Sequence, residues 1–148
     1  MRSKPLSVFE KGEACMLVGM DHVGIAVKNL DDAVHLYRDV LGFKLEGIHV
    51  LAERKFRMAI MVPGAGTKIE LMEPIDKDST IAKFLEKHGE GIQHLAVEVS
   101  DIEEALAQLK RKGVTLIDET PKNGVEGKKI AFVHPKSTRG VLLELVMK

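Results

Sequence analysis

Most of the chain alternates between apolar and polar residues with the period of β-strands, but two stretches have the period of an amphipathic helix. In residues 30–41, apolar side chains recur three and four positions apart, which predicts a helix with one buried face. Asn29 has the chemistry of an N-cap, and Gly42 is typical of a helix end. Strands are predicted around this helix at His22–Val27, Phe43–Val50, Phe56–Val62 and Lys68–Glu73.

The second half of the chain repeats this order of elements. A linking helix is predicted at about residues 80–87, and Asp101 and Gly113 mark the start and end of another amphipathic helix. The glycine- and charge-rich segment Asp118–Gly127 is predicted to be a loop. The strands predicted here are Gln93–Val99, Val114–Ile117, Lys129–His134 and Val141–Val146. Each half is therefore a βαβββ module, at about residues 20–75 and 91–148.

Short sequence segments recur in the two modules. Asp21–Val27 returns as Gln93–Val99, and Ile69–Leu71 returns as Leu143–Leu145. The spacing of these copies is longer than the 20 to 50 residues of solenoid repeats, so the chain contains two copies of one module. Each copy contributes one histidine and one glutamate, which gives four candidate metal ligands: His22, Glu70, His94 and Glu144.

Strand alternation places these four side chains on the same face of the predicted sheets. Val23, Ile25 and Val27 should face the helix, so His22 points the other way, beside small residues. The same reasoning applies to His94, Glu70 and Glu144. The sequence therefore predicts an α+β fold in which two tandem modules form a curved mixed sheet around a cleft that contains a metal.

Composition narrows the range of partners. The chain has 148 residues, and its 22 Lys and Arg balance its 22 Asp and Glu, which argues against nucleic acid or an anionic membrane as a main partner. A single cysteine, Cys15, excludes an internal disulfide and fits a reducing cytoplasm. No apolar run approaches the roughly 20 residues of a membrane span. Residues 1–19 are predicted to be a flexible extension before a single domain at 20–148.

Six segments in this order resemble a known family, the vicinal oxygen chelate superfamily, which includes lactoylglutathione lyase and is built from paired βαβββ modules. They are Asp21–Val27, Lys68–Pro74, Ser79–Leu85, Gly91–Ala96, Ile130–Ser137 and Gly140–Leu145. Within that superfamily they are most similar to methylmalonyl-CoA epimerases, over about residues 20–148. The resemblance implies a coenzyme A thioester substrate, epimerisation through an enolate, and a homodimer.

The resemblance also implies the roles of individual residues. One divalent ion (cobalt, zinc, manganese or nickel) would be held by His22, His94 and Glu144, with Glu70 as the fourth ligand. Glu144 matches a residue that the family uses as a base, and two bases are the simplest way to invert a carbon centre.

The sequence departs from the family pattern at two positions. Met58 stands where some relatives have a glutamate, so Glu70 is the best candidate for a second base, with the predicted loop residue Glu53 as an outside alternative. Gln93 stands where the family often has a histidine that is not a ligand.

Other polar residues have ordinary structural explanations as well as functional ones. Three residues are predicted to bind substrate: His134 by shaping the substrate mouth, Lys136 by attracting the phosphates of coenzyme A, and Ser137 beside them. The alternatives are that a strand-end histidine is bonded only to backbone and that an exposed lysine is only solvated. Three histidines have no counterpart in the repeat and are predicted to lie on the surface: His35, His49 and His88.

Two other functions stay open. A lactoylglutathione lyase-like isomerase would share a similar ligand set, but its usual final loop resembles Asp-Pro-Asp-Gly, whereas this chain has His134-Pro135-Lys136-Ser137. A metal-free binding module would not need the four ligands, so their retention argues against it. An iron ring-cleaving dioxygenase would need only two histidines and one glutamate, so Glu70 argues against it.

Overall fold

The computed structural model describes residues 16–148 and contains one curled, eight-stranded mixed sheet with three helices. The strands lie in the order β2-β3-β4-β1-β5-β8-β7-β6. Their bounds are β1 Leu17–Ala26, β2 Lys44–Leu51, β3 Phe56–Val62, β4 Lys68–Pro74, β5 Gly91–Val99, β6 Lys122–Asn123, β7 Lys129–Val133 and β8 Leu143–Met147. The predicted α+β fold is confirmed, and the two halves of the sheet follow the two predicted modules.

The modules join through the central strands β1 and β5, which pair antiparallel from Leu17 and Val99 to Ala26 and Gly91. On either side of this seam the pairing is parallel, β1 with β4 and β5 with β8. The two halves therefore have matching strand arrangements, and the repeated histidine strands become direct neighbours.

β1 begins earlier than predicted, because pairing with β5 extends back to Leu17. Residues 17–19 therefore belong to the sheet and not to an N-terminal extension. The rest of the predicted extension, residues 1–15, lies outside the described residues.

The helix of the first module begins where the sequence predicts. α1 spans Leu30–Val34, and the Asn29 side chain accepts a hydrogen bond from the Asp32 amide at 3.0 Å. From His35 to Val40 the helix continues with the wider π-helical geometry. Gly42, with φ 86°, ends the element, as predicted.

The second module departs from prediction in one strand. Val114–Ile117 does not form a strand, because only Leu116 bridges to Val133, whereas the two-residue β6 lies inside the predicted loop. Asp118 explains part of this difference: its side chain accepts the Phe132 amide hydrogen at 2.8 Å and takes the place of a ladder carbonyl.

The remaining helices match their predicted positions. α2, the linking helix, spans Thr80–His88 behind the capping residue Ser79, and α3 spans Ile102–Arg111 behind the capping residue Asp101. α1 packs over β3 and β4, and α3 packs over β7 and β8. None of the helices in residues 16–148 is long and apolar enough to cross a membrane.

Candidate metal centre

His22 and His94 meet across the seam between the modules. Their Nε2 atoms lie 2.9 Å apart, and both side chains are buried. Gly24, the partner of His94 in the strand register, makes this approach possible. A Cβ atom at Gly24 would stand only 2.1 Å from Cε1 of His94, so the imidazole ring occupies the space that a side chain would need.

A β-bulge precedes each of these histidines. On β1 the register passes from Met20 to His22 and leaves out Asp21, and on β5 it passes from His94 to Ile92 and leaves out Gln93. Each bulged residue holds the ring that follows it. The distance from His22 Nδ1 to Asp21 Oδ2 is 2.7 Å, and that from His94 Nδ1 to Gln93 Oε1 is 2.6 Å. Such contacts fix ring orientation and leave each Nε2 free to bind a ligand.

The two predicted glutamates reach the same point from different modules. Oε2 of Glu144 lies 2.8 Å from Nε2 of His22 and 3.3 Å from Nε2 of His94. Oε2 of Glu70 lies 3.1 Å from Nε2 of His22. The coordinating atoms of His22, His94 and Glu144 all lie within 4.8 Å of one another, and Glu70 adjoins this group through His22.

Hydrogen bonds within the chain do not account for this arrangement. Two imidazole nitrogens at 2.9 Å can share one proton at most. Oε2 of Glu144 is buried and, among residues 16–148, has no hydrogen-bond partner, because its close contacts to the two rings lack hydrogen-bond geometry. Two imidazoles and a carboxylate that converge in this way form a donor set suited to a divalent cation. The residues present therefore fit the ion that the sequence predicts.

Burial and charge shift the pKa values of three clustered residues, and not all in the same direction. Burial disfavours the imidazolium of His22, but contacts with Asp21 and Glu144 outweigh burial and raise its pKa to about 10. Burial also opposes the ionisation of Glu144, yet the two histidine rings lower the pKa of this carboxyl to about 2. At Glu70, burial dominates and raises the pKa, with a further contribution from the charge of Glu144. The two glutamates thus have pKa values that are shifted in opposite directions, as in acid–base pairs.

Two cavities adjoin the cluster. The first has about 360 Å³ of empty space and is lined by His22, Glu70 and Glu144 together with Met58 and Val125. The second, with about 1300 Å³, is lined by His94, Gln93 and Pro135. The smaller cavity contains more of the candidate ligands, and the larger one has more room for an extended substrate.

The remaining predicted site residues lie outside the cluster. His134, Lys136 and Ser137 are exposed around the single turn Pro135–Ser137, and only Pro135 of this segment lines the larger cavity. His134 Nδ1 accepts the Lys136 amide hydrogen, and Ser137 Oγ accepts that of Thr115. Glu53 is exposed on the turn Ala52–Arg54. Substrate binding by His134, Lys136 and Ser137 stays a prediction.

Sequence reasoning missed the roles of Asp21 and Gln93 beside the ligands. The available signal was their equivalent position, directly before each repeated histidine. It also assigned His49 to the surface together with His35 and His88; those two are exposed, but His49 is only partly exposed and its Nε2 atom is buried. Phe132, whose ring meets the edge of His94 at 5.8 Å between centroids, was not identified either.

The chain belongs to the glyoxalase/bleomycin resistance protein/dioxygenase superfamily, whose sequence profile matches residues 21–132. This confirms the resemblance found in the sequence.

More specific similarity points to one group of enzymes. An ethylmalonyl-CoA/methylmalonyl-CoA epimerase of Cereibacter sphaeroides is 38% identical over 132 residues, which cover 88% of this chain and 98% of the relative. The crystal structure of methylmalonyl-CoA epimerase from Mycobacterium tuberculosis has 44% identity and a TM-score of 0.86, with 91% of each chain covered. A variant of the Streptomyces coelicolor methylmalonyl-CoA epimerase, in complex with 2-nitronate-propionyl-CoA, has 36% identity and a TM-score of 0.85, with 89% of this chain and 98% of that chain covered.

Proposed function

We propose that this protein interconverts the R and S forms of methylmalonyl-CoA by moving a proton at the carbon next to the thioester. The observation that carries the proposal is the buried convergence of His22, His94 and Glu144, with Glu70 beside them, on a cavity. Relatives named as methylmalonyl-CoA epimerases match nearly the whole described fold. A coenzyme A thioester is therefore the proposed partner.

We propose that His22, His94, Glu144 and Glu70 hold one divalent ion, either cobalt, zinc, manganese or nickel. When bound, such an ion supplies a Lewis acid that stabilises the enolate oxygen formed on proton removal. Asp21 and Gln93 contribute by fixing the two imidazole rings, so that little reorganisation is needed at the site. The buried surroundings exclude water, which strengthens these electrostatic interactions.

The chain's own acid–base chemistry rests on the two glutamates. Because a metal-bound carboxylate is a poor base, at least one of the two glutamates must release the ion, or share its oxygens with it, during turnover. In one direction the Glu144 carboxylate takes the proton from carbon, and the acid form of Glu70, released from the ion, delivers a proton to the opposite face. In the reverse direction the two roles exchange. The opposite pKa shifts suit this division, because Glu144 is held ionised whereas Glu70 takes up a proton more readily.

The decisive experiment is an exchange assay with methylmalonyl-CoA in deuterated water. We expect deuterium to enter at the carbon next to the thioester while each pure epimer becomes a mixture of both epimers. The His22→Ala, His94→Ala double variant should lose both metal and exchange. A wild-type protein that binds metal but neither exchanges nor epimerises would refute the proposal. In that case, turnover of the glutathione hemithioacetal of methylglyoxal would identify the lyase alternative.

The roles of the two glutamates can be separated with Glu144→Gln and Glu70→Gln at equal metal content. Loss of a general base should slow epimerisation by about a hundredfold or more. We expect each variant to keep deuterium exchange on one epimer and to lose it on the other. If Glu70→Gln epimerises at the wild-type rate with metal bound, Glu70 is only a ligand and Glu53 should be tested next.

We also propose that the protein is a homodimer and works in the cytoplasm. The π-helical segment and the residue after it support the first point, since they expose Leu36, Val40 and Leu41. Light scattering of the purified protein should give twice the chain mass of 16.3 kDa, and a monomer would contradict this. Cell fractionation tests the compartment.

A further inference from the structure

Two buried side-chain atoms in residues 16–148 have no hydrogen-bond partner, and only one of them belongs to the candidate metal centre. The first is Oε2 of Glu144, and the second is Nε2 of His49. Buried polar atoms in folded proteins are nearly always hydrogen-bonded, so an exception calls for an explanation. For Glu144 the explanation is a cation. Nε2 of His49 lies away from the candidate metal-binding residues, so a cation does not explain its burial and another kind of bound group is needed.

His49 lies on the cavity side of β2. Its neighbour on the same face of the strand, Leu51, lines the smaller cavity, and so does Met58, its register partner on β3. The side chain as a whole is 32% exposed, so the ring can be reached from solvent although Nε2 is covered. His49 itself does not line this cavity, but it lies next to two residues that do.

The strand register sets the approximate distance of His49 from the metal centre. Nε2 of His49 lies 3.4 Å from the point where Gly47 would carry a Cβ atom. Gly47 on β2 pairs with Ile60 on β3, which in turn pairs with Glu70 on β4. Two strand spacings, about 9.5 Å, therefore separate Gly47 from Glu70. A group bound by His49 would lie well beyond the oxygens held near the ligand cluster.

The facing residue indicates what kind of group fits. Oε1 of Glu126 lies 3.6 Å from Nε2 of His49, too far for a hydrogen bond. Glu126 belongs to the turn Val125–Gly127 of the other module and has the uncommon φ of 57°. The negative charge of Glu126 repels anions. A neutral carbonyl oxygen is therefore a better acceptor here than a carboxylate or phosphate.

We propose that Nε2 of His49 donates a hydrogen bond to an amide carbonyl oxygen in the pantetheine arm of the bound acyl-CoA, because the thioester carbonyl would lie at the ligand cluster. The inference rests on the proposed function, because that function supplies the ligand. His49 would then be a substrate-binding residue, outside both the metal centre and the acid–base pair.

The test compares His49→Phe, which removes the donor, with His49→Gln, which keeps one. His35→Phe is the matched control, because His35 is exposed on the helix. Dissociation constants for propionyl-CoA and for free coenzyme A are measured by calorimetry, with metal content and melting temperature recorded. We expect His49→Phe to weaken propionyl-CoA binding and raise KM by about tenfold. The value of kcat, the metal content and the melting temperature should stay near wild type, and His49→Gln should recover part of the binding.

The two ligands test the position of the contact. Equal weakening for propionyl-CoA and free coenzyme A would support a contact with the pantetheine arm, and weakening for propionyl-CoA alone would overturn the proposal. Unchanged dissociation constants and KM would overturn the proposal. Equal losses of melting temperature in His49→Phe and Glu126→Gln, without a binding change, would show a structural ion pair instead.

A measurement on the wild-type protein guards against a variant that does not fold. In protein labelled with ¹⁵N at histidine, propionyl-CoA should shift the Nε2 resonance of His49 and leave that of His35 in place. No shift at saturating ligand would overturn the proposal. This readout does not depend on turnover, so a protein that binds propionyl-CoA through His49 but does not epimerise would refute the proposed function alone.

Discussion

Substitution of Gly24 by alanine should damage the candidate metal centre without changing any of the four candidate ligands. The added Cβ would stand 2.1 Å from Cε1 and 2.3 Å from Nδ1 of His94, whereas ordinary contacts begin at 3.4 Å. The ring must therefore move by more than about 1 Å, because the close-packed neighbours of the strand yield little. Gly24 does not have a positive φ, so alanine causes no backbone strain of its own.

We expect Gly24→Ala to bind divalent metal at least about tenfold more weakly, since ligand orientation governs affinity. Epimerisation should fall by about a hundredfold, because a displacement of 1 Å at a reacting site can have that effect. Metal affinity is measured by competition with a chromophoric chelator, and the rate by deuterium exchange.

Gly19→Ala is the matched control for this experiment. Gly19 lies on the same strand, also lacks a positive φ, and has no atom within 4 Å of an added Cβ. This variant should keep its metal affinity and gain up to about 1 kcal/mol of stability through the unfolded state. If Gly24→Ala binds metal as tightly as Gly19→Ala, the packing of His94 against β1 does not position the ligand, and the reasoning fails.

Four further outcomes follow from the cluster. Asp21→Asn should weaken metal binding by about tenfold to a hundredfold, because the charged partner of His22 is lost; an unchanged affinity would contradict the role of the bulge. Metal affinity should rise by about tenfold per pH unit up to about pH 10, since metal must displace the proton of His22, whose pKa is raised from 6.5 to about 10. Calorimetry of metal binding in buffers of different ionisation enthalpy measures the proton that is released. The same pKa shift stabilises the metal-free fold fully below pH 6.5, and this stabilisation is lost as the pH rises through about 10. Metal at a hundred times its dissociation constant should raise the melting temperature of wild type by about 5–10 °C and leave that of His94→Ala unchanged.

Strand alternation was sufficient to predict that the four candidate ligands share one face of the sheet. Because His22 and His94 are flanked by apolar residues that must face a helix, the opposite face was determined for both, and the repeat extended the argument to Glu70 and Glu144. The structure brings these four side chains together from β1, β4, β5 and β8.

Alternation could not predict Asp21 and Gln93. A residue next to an inward-facing histidine should point outward, but a β-bulge abolishes that rule locally. A bulge depends on the pairing of strands that are distant in sequence, so local pattern does not reveal it. The predicted strand at Val114–Ile117 failed for a related reason, since one side-chain oxygen, that of Asp118, replaced a backbone partner.

His49 was predicted to lie on the surface because periodicity predicts the burial of whole residues and not of single atoms. The polar pattern of β2 indicates an exposed edge strand, and the side chain is indeed partly exposed. Burial of its Nε2 atom arises from Gly47 beneath the ring and from Glu126 of the other module. Neither neighbour can be foreseen from periodicity.

The seam between β1 and β5 has a consequence for the kinetics of folding. It joins strands that are far apart in sequence, so it carries a large loop-closure cost and should form late in folding. Each module contributes only one histidine and one glutamate to the cluster, so a cation held by all four would bind only after the seam has closed. Bound metal should therefore slow unfolding while leaving the folding rate nearly unchanged.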